Sequence, residues 1–204
     1  MSLIPLNPIP LYVTKAEGTE FENIQTELLE VSNNVEFEQI PHWDTFSHSL
    51  SKNAFGSNIL SDYKCQDTID FIKKSVDEYL NSLNYRKPYN FRMNMNSAWI
   101  TKTLKGHQAH PHNHPGSHIS GCYYIKTNGK DGNLSFNNIH ISLCDNPIIA
   151  SSTQETAAPL EEGVLLLWPS PLVHGVKENK TDNERYSLSF NIEIQGQMYK
   201  EFFI

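Results

Sequence analysis

The apolar residues of this chain change their spacing near Pro88, and with it the structure they can form. Before that point Phe21, Ile24, Leu28 and Val31 recur at steps of three and four, which predicts an amphipathic helix over residues 20–31. Ile69, Ile72, Val76, Leu80 and Leu83 draw a second stripe, with Lys73, Lys74, Asp77 and Glu78 on other faces. It predicts a helix from an N-cap at Ser61 to about Leu83. Residues 41–57 mix His, Ser, Asn and Gly and read as loop.

After Pro88 the period is two. Phe91, Met93 and Met95 alternate with Arg92, Asn94 and Asn96, as in a strand with one buried face. Residues 122–127 and 133–136 read as strands joined by a connection carrying Gly129 and Gly132. Residues 163–168 form a short, wholly apolar run, the pattern of a strand covered on both faces, ended by Pro169 and Pro171. Residues 172–176 and 185–194 supply two more strands. Helices followed by many short strands predict an α+β chain, mainly β, with the helices packed outside a β-sandwich or barrel. At 204 residues and 38 % hydrophobic content the chain supports one core. We therefore expect a single domain, with residues 1–88 as helical support and 89–204 as the β core.

The formal charge of -7 and the scattering of the 16 Lys and Arg residues leave no basic stripe, which argues against nucleic acid as a partner. Cys65, Cys122 and Cys144 are widely spaced and read as reduced thiols of a cytoplasmic protein. The first residues lack a basic start followed by an apolar run, and no apolar stretch has membrane length, so no membrane association is expected.

The chemistry concentrates in histidine. His107, His110, His112, His114 and His118 fall close together, and His174 stands alone far downstream. In a strand, His110, His112 and His114 project to one face, so two neighbours among them could chelate one ion. His174, after the apolar strand, is the natural third ligand, and three protein ligands leave coordination positions open for substrate and oxygen. On these grounds both His110 with His112 and His112 with His114 are possible pairs; His107 and His118 are off the spacing and read as loop residues. Arg185 opens a strand in which Ser187, Ser189 and Asn191 share its face, while Tyr186, Leu188, Phe190 and Ile192 take the other. A guanidinium on a polar inner face matches a carboxylate bidentately, with a serine hydroxyl as a further donor.

Taken in order, these parts resemble the Fe(II)- and 2-oxoglutarate-dependent oxygenases, built on a double-stranded β-helix (jelly roll). His112-Asn113-His114 stands where that family has an H-x-D/E pair, and residues 120–125 resemble the strand after it. Residues 131–136 resemble its G-x-L-x-F strand, residues 162–168 the segment before the distal histidine, and Arg185-x-Ser187 its 2-oxoglutarate clamp. Within the family the chain most resembles a group carrying H-x-H-P-x-S-x-x-S-G-x-Y-Y, near the prolyl-hydroxylase type. The resemblance implies His112, His114 and His174 as Fe(II) ligands and as the catalytic centre. It implies Arg185, Ser187 and Tyr124 around 2-oxoglutarate, with Tyr123 facing the opposite side. His112 with His114 is then the preferred pair, because Pro115 follows as in that group. The activity implied is hydroxylation of a small-molecule or peptide substrate by dioxygen, with release of succinate and carbon dioxide. Position alone puts substrate near Asn94, Asn96, Trp99 or His140.

One departure is clear: there is no Asp or Glu between Gly106 and Lys130, so His114 replaces the usual carboxylate. A neutral imidazole there leaves the centre more positive, which favours a dianionic co-ligand and gives up one anionic ligand. Histidine is not small, so the halide site of the halogenating relatives is not expected. Two other readings use the same residues: a three-histidine cupin-like metalloenzyme that does not use 2-oxoglutarate, and a non-catalytic jelly-roll binding module.

Overall fold

The computed structural model describes residues 9–39, 49–52, 54, 56–87, 89–136 and 156–197. From the N-terminus the elements are β1 (Tyr12–Lys15), α1 (Gly18–Asn34), β2 (Phe37–Glu38), β3 (Ser49–Ser51), α2 (Ile59–Asp62) and α3 (Gln66–Ser82). Strands follow: β4 (Tyr89–Thr103), β5 (Ala109–His112), β6 (Ile119–Lys126), β7 (Leu134–Phe136), β8 (Thr156–Ala157), β9 (Val164–Pro169), β10 (His174–Val176) and β11 (Arg185–Gln197).

These last strands nest. β4 pairs with β11, β5 with β10, β6 with β9 and β7 with β8, each antiparallel. The chain thus runs as one long hairpin that crosses repeatedly between two sheets, ordered β1-β9-β6-β11-β4-β3-β2 and β5-β10-β7-β8. This is the double-stranded β-helix expected from the sequence. It brings the distant ends of the hairpin side by side, so β5 and β10 meet although some sixty residues separate them.

Side-chain alternation divides the core into two layers. On β9, Leu165 and Leu167 face the helices together with Ile100, Tyr123, Leu188 and Phe190, against Ile24 and Leu28 of α1 and Phe71, Ile72 and Val76 of α3. Val164, Leu166 and Trp168 face the other way, into the space between the sheets, with Cys122, Tyr124, Leu134 and Phe136. The wholly apolar run is therefore covered on both faces, as its composition requires. At the crossing of β6 and β11, Gly121 lies over Phe190, where a Cβ would come within 2.2 Å of the ring.

The N-terminal part differs from the expectation in three places. The helix expected over 61–83 is two: Lys64 takes a positive φ of 57° between them, and Ser61 lies inside α2, whose cap is Asn58 accepting from the Ser61 N–H at 3.3 Å. The first turn of α3 is held instead by Glu27 of α1. Its carboxylate accepts the backbone N–H groups of Asp67 and Thr68 and the Thr68 hydroxyl, at 3.0, 2.9 and 2.7 Å. An anion at this end also opposes the positive pole of the helix. Third, this part is not purely helical. β1 covers the free edge of β9, and β2 and β3 extend the sheet beyond β4, β3 lying within the segment expected to be loop. Covering a sheet edge satisfies its backbone groups, which local composition does not record.

Cys65 and Cys122 are free and buried, while Cys144 and His140 lie outside the described residues. Among the described residues no helix is long and apolar enough to cross a membrane.

Candidate metal centre

Pairing of β5 with β10 sets His112 directly opposite His174. The next pair in register is Ala109 with Val176, so β5 carries one residue more than β10 between them. This bulge falls at His110 and Pro111, and it breaks the alternation that made His110 equivalent to His112. Proline suits it, having no N–H to give to the ladder. Gly175 fits beneath, where a Cβ would stand 2.9 Å from the Ala109 carbonyl oxygen. His110 is consequently exposed and outside the cluster that His112, His114 and His174 form.

His114 lies two residues past the end of β5. Its backbone N–H donates to the Ser170 carbonyl at 3.1 Å, and the side-chain amide of neighbouring Asn113 donates to the Pro171 carbonyl at 3.4 Å. The segment between β9 and β10 thus carries the anchor for His114 and leads directly into His174. Ser170 is fixed in turn. A hydroxyl has one proton, and the side chain of Asn191 offers Ser120 an oxygen at 2.7 Å, so Ser120 donates there and accepts from the Ser170 hydroxyl at 2.9 Å. Asn191 passes the chain on to Ser97 at 3.4 Å. Buried hydrogen bonds therefore tie the loop to β6, β11 and β4.

Ligand nitrogens of the three histidines lie within 4.8 Å of one another. Two backbone carbonyls set their protonation. His112 Nδ1 meets the His110 oxygen at 2.8 Å and His174 Nδ1 meets the Leu172 oxygen at 2.9 Å. A carbonyl only accepts, so Nδ1 carries the proton in both and Nε2 is left as the ligand atom. Burial, with His112 alongside, lowers His114 to about 4. Burial lowers His174 to about 3, with His112 and His114 adding to the effect and the Leu172 carbonyl opposing it. Both rings are neutral at pH 7, the form that binds a metal. Trp168 packs edge-on against His174, ring centres 4.9 Å apart, and Trp99 lies 6.0 Å from His114. Neither aromatic contact is marked by a spacing rule; only the alternation of β9 and β4 points to them.

The same cavity, about 210 Å3, reaches from the histidines to Arg185. Arg185 is 1 % exposed. Its guanidinium donates to the carbonyls of Asp131, at 3.2 Å, and Gly132, and to the Thr103 hydroxyl at 2.8 Å, while its Nε has no partner among the described residues. All three acceptors are neutral. Gly132 comes this close because it has no side chain: its φ is +94° and a Cβ would fall on the Lys177 carbonyl. The Asp131 carboxylate itself is turned away, accepting from Thr127, Asn128 and Asn183 at 2.5, 3.0 and 2.7 Å. A buried guanidinium without an anion is costly, and Arg185 lines a cavity the size of a small dicarboxylate.

Tyr124 and Ser187 face each other across β6 and β11 and line this cavity, whereas Tyr123 faces the helices against Phe71, as alternation predicted. Burial raises the Tyr124 hydroxyl far above its ordinary value, so it keeps its proton. It accepts the Leu134 N–H at 3.4 Å, which leaves that proton to donate. His107 and His118 belong to the frame: each ring accepts a backbone N–H, from Leu104 at 3.3 Å and from Ile194 at 3.1 Å. Of the positions suggested for substrate, Trp99 lines the cavity; Asn94 and Asn96 are exposed and outside its lining.

The order of strands, the three converging imidazoles and the buried guanidinium, which meets only neutral acceptors among the described residues, agree with what comparison finds. Residues 97–191 match the family described as "Putative 2OG-Fe(II) oxygenase". Solved structures of 2OG-Fe(II) oxygenases share the fold. The non-haem α-ketoglutarate-dependent carbocyclase SnoK from nogalamycin biosynthesis is 9 % identical, with a TM-score of 0.63 over 95 % of this chain and 84 % of that one. A Trichoplax adhaerens prolyl hydroxylase, in complex with a peptide fragment of the hypoxia inducible factor oxygen degradation domain, is 14 % identical, with a TM-score of 0.60 over 90 % and 83 %. HygX from Streptomyces hygroscopicus, solved with nickel, 2-oxoglutarate and hygromycin B bound, is 13 % identical, with a TM-score of 0.56 over 96 % and 86 %. At such identities the likeness is one of fold. No curated protein matches the sequence. The 2OG-Fe(II) oxygenase match spans both sheets, from Ser97 on β4 to Asn191 on β11, and contains every candidate ligand.

Proposed function

We propose that this chain is an Fe(II)- and 2-oxoglutarate-dependent oxygenase that hydroxylates its substrate, with His112, His114 and His174 as the iron ligands. One observation carries the reading. Three histidines whose ligand nitrogens converge share a small cavity with a buried guanidinium that has no anionic partner among the described residues. Both halves fit the groups assigned to them. Neutral imidazole suits divalent iron, and the planar fork of Arg185, with its Nε unpartnered, suits the distal carboxylate of 2-oxoglutarate. When bound, iron and 2-oxoglutarate supply the oxidising power: one atom of dioxygen goes to succinate, released with carbon dioxide, and the other to the substrate.

The protein's own residues bind, orient and dry the site. Tyr124 and Ser187 present hydroxyls beside Arg185 for the same carboxylate, and Tyr124 acts as donor because its oxygen already accepts from Leu134. The carbonyls of His110 and Leu172 hold two imidazoles in the Nε2-ligating form. Leu134, Trp168 and Val176 form an apolar wall around the ligand space, which excludes water and strengthens the pairing inside. Proteins of this fold are found in complex with a peptide fragment in one case and with the small molecule hygromycin B in another, and both classes fit the reading.

The test is succinate release from 2-oxoglutarate by purified protein under air with added Fe(II), alone and with a substrate panel. Release that depends on both iron and Arg185 is expected. Metal-dependent turnover of a substrate that is indifferent to 2-oxoglutarate and to Arg185→Ala would instead support the cupin-like alternative.

A further inference from the structure

Arg185 meets its acceptors on two separate pieces of chain. One guanidinium nitrogen donates to the carbonyl of Asp131, in the connection between β6 and β7, and another to the hydroxyl of Thr103, the last residue of β4. A carbonyl in a turn can orient an arginine only if the turn itself is held. Here side chains behind it close a ring. The Asp131 carboxylate accepts from the Asn183 side-chain amide at 2.7 Å, and the Asn183 backbone carbonyl accepts from the Asn179 side-chain amide at 2.7 Å. That Asn179 amide also donates to the Thr103 carbonyl at 3.3 Å, which returns the ring to Arg185. Asn179 is fixed by its backbone as well, accepting the Gly106 N–H at 2.7 Å and donating to the His107 carbonyl at 2.9 Å. The Thr127 hydroxyl and the Asn128 N–H hold the Asp131 carboxylate within its own turn. Asp131, Asn179 and Thr103 have no exposed surface. A buried network of this kind rigidifies what it joins.

We propose that Asp131 is a positioning residue for Arg185. Through Asn183 and Asn179 its carboxylate locks the β6–β7 connection to the chain entering β11 and to the end of β4, and so fixes how the guanidinium is presented to the cavity. The inference rests on the oxygenase reading, in which Arg185 takes the distal carboxylate of 2-oxoglutarate, and adds to it the residues that aim the fork. Charge and position make opposite demands on Asp131. By charge alone a carboxylate beside Arg185 repels an incoming anion, so its removal tightens binding. By position its removal loosens binding, because a misaligned guanidinium loses its bidentate match. Asp131→Asn separates the two, since it removes the charge and can keep every bond. Its oxygen accepts from Asn128 and Asn183, and its amide donates to the Thr127 hydroxyl.

The experiment titrates the full chain, loaded with Mn(II), by calorimetry with 2-oxoglutarate and with 2-oxopentanoate, in which a methyl group replaces the distal carboxylate. The ratio of the two affinities reads the contribution of Arg185 alone. Asp131→Ala should lower the preference for 2-oxoglutarate about tenfold, with affinity for 2-oxopentanoate and for Mn(II) unchanged. Asn183→Ala, which keeps the carboxylate and opens the ring at one bond, should lower it about threefold. Asp131→Asn should keep or raise the preference. A purely structural role would weaken both keto acids and Mn(II) together, and that result overturns the proposal while the oxygenase reading stands. A preference in Asp131→Ala equal to or above that of the wild type overturns it too, as does an Asp131→Asn variant as impaired as Asp131→Ala. Should Asp131→Ala not fold, Asn183→Ala decides by the same comparison, and an unchanged preference there sinks the proposal. If the wild type itself does not prefer 2-oxoglutarate, the role given to Arg185 in the oxygenase reading fails and takes the proposal with it.

Discussion

Arg185 shows how much one side chain can say about a missing partner. A guanidinium at 1 % exposure with neutral oxygens on two of its nitrogens and nothing on the third is half of an interaction. Its replacement by lysine keeps the charge and loses the fork. Arg185→Lys is expected to weaken 2-oxoglutarate binding about tenfold, roughly 1.4 kcal/mol, while leaving metal affinity measured without 2-oxoglutarate unchanged. Calorimetry reads both. The histidines carry a second expectation. His114 and His174 are held at about 4 and about 3, below the value of 6.5 they have when unfolded. Between these limits the unfolded chain takes up protons that the folded apoprotein refuses, so stability falls as pH drops from about 6.5 and the loss levels off once the folded rings protonate. The loss is on the order of 3 kcal/mol for His114 alone. Denaturant midpoints of metal-free protein from pH 7 to 4.5 should fall steadily, and saturating metal should counter much of the fall near neutrality. Residue type and order made His112, His114, His174 and Arg185 legible in the sequence. The Ser170–Ser120–Asn191 chain was not, because nothing local marks serines that meet only when three strands and a loop come together.

At the scale of elements, the bulge on β5 decides which histidines converge. Alternation by two left His110 and His112 as equals, and the extra residue at His110–Pro111 removes one of them. Gly175→Ala puts a methyl group against the Ala109 carbonyl under that bulge. It is expected to cost about 1–3 kcal/mol and to weaken metal binding, since His112 and His174 flank the strained pair. Thermal melts and Mn(II) titration of the same sample separate the two effects. Ser120→Ala cuts the hydrogen-bonded chain behind His114 and leaves Ser170 without its partner. The ligand-field spectrum of Co(II)-loaded protein should shift while circular dichroism is unchanged; an unaltered spectrum would mean that the chain does not position His114. Glu27→Ala tests the support instead. It frees the first turn of α3, and a loss of about 1–2 kcal/mol with metal affinity intact is expected. The two main helices were readable because their apolar stripes are long. The break at Lys64 was not, since a single left-handed residue hides in a continuous stripe. β1 was missed for a related reason: a short edge strand answers to β9, far along the chain, rather than to its own composition.

For the whole molecule, the fold and the site have one cause. Nested pairing of β4 with β11 and β5 with β10 brings His174 opposite His112, and Arg185 beside Thr103 at the other end of the same cavity. Helices first and strands after were enough to read an α+β chain that is mainly β, because the longer core strands β4, β6, β9 and β11 signalled their buried faces. Which strands would pair was carried by the family resemblance, not by any pattern of apolar residues. The most direct measurement is a crystal structure of the protein grown with Mn(II) and 2-oxoglutarate. Anomalous density for the metal is expected between the nitrogens of His112, His114 and His174, with the distal carboxylate of 2-oxoglutarate paired with Arg185. Metal bound through His110 or elsewhere, or 2-oxoglutarate absent from Arg185 at saturating concentration, would contradict it.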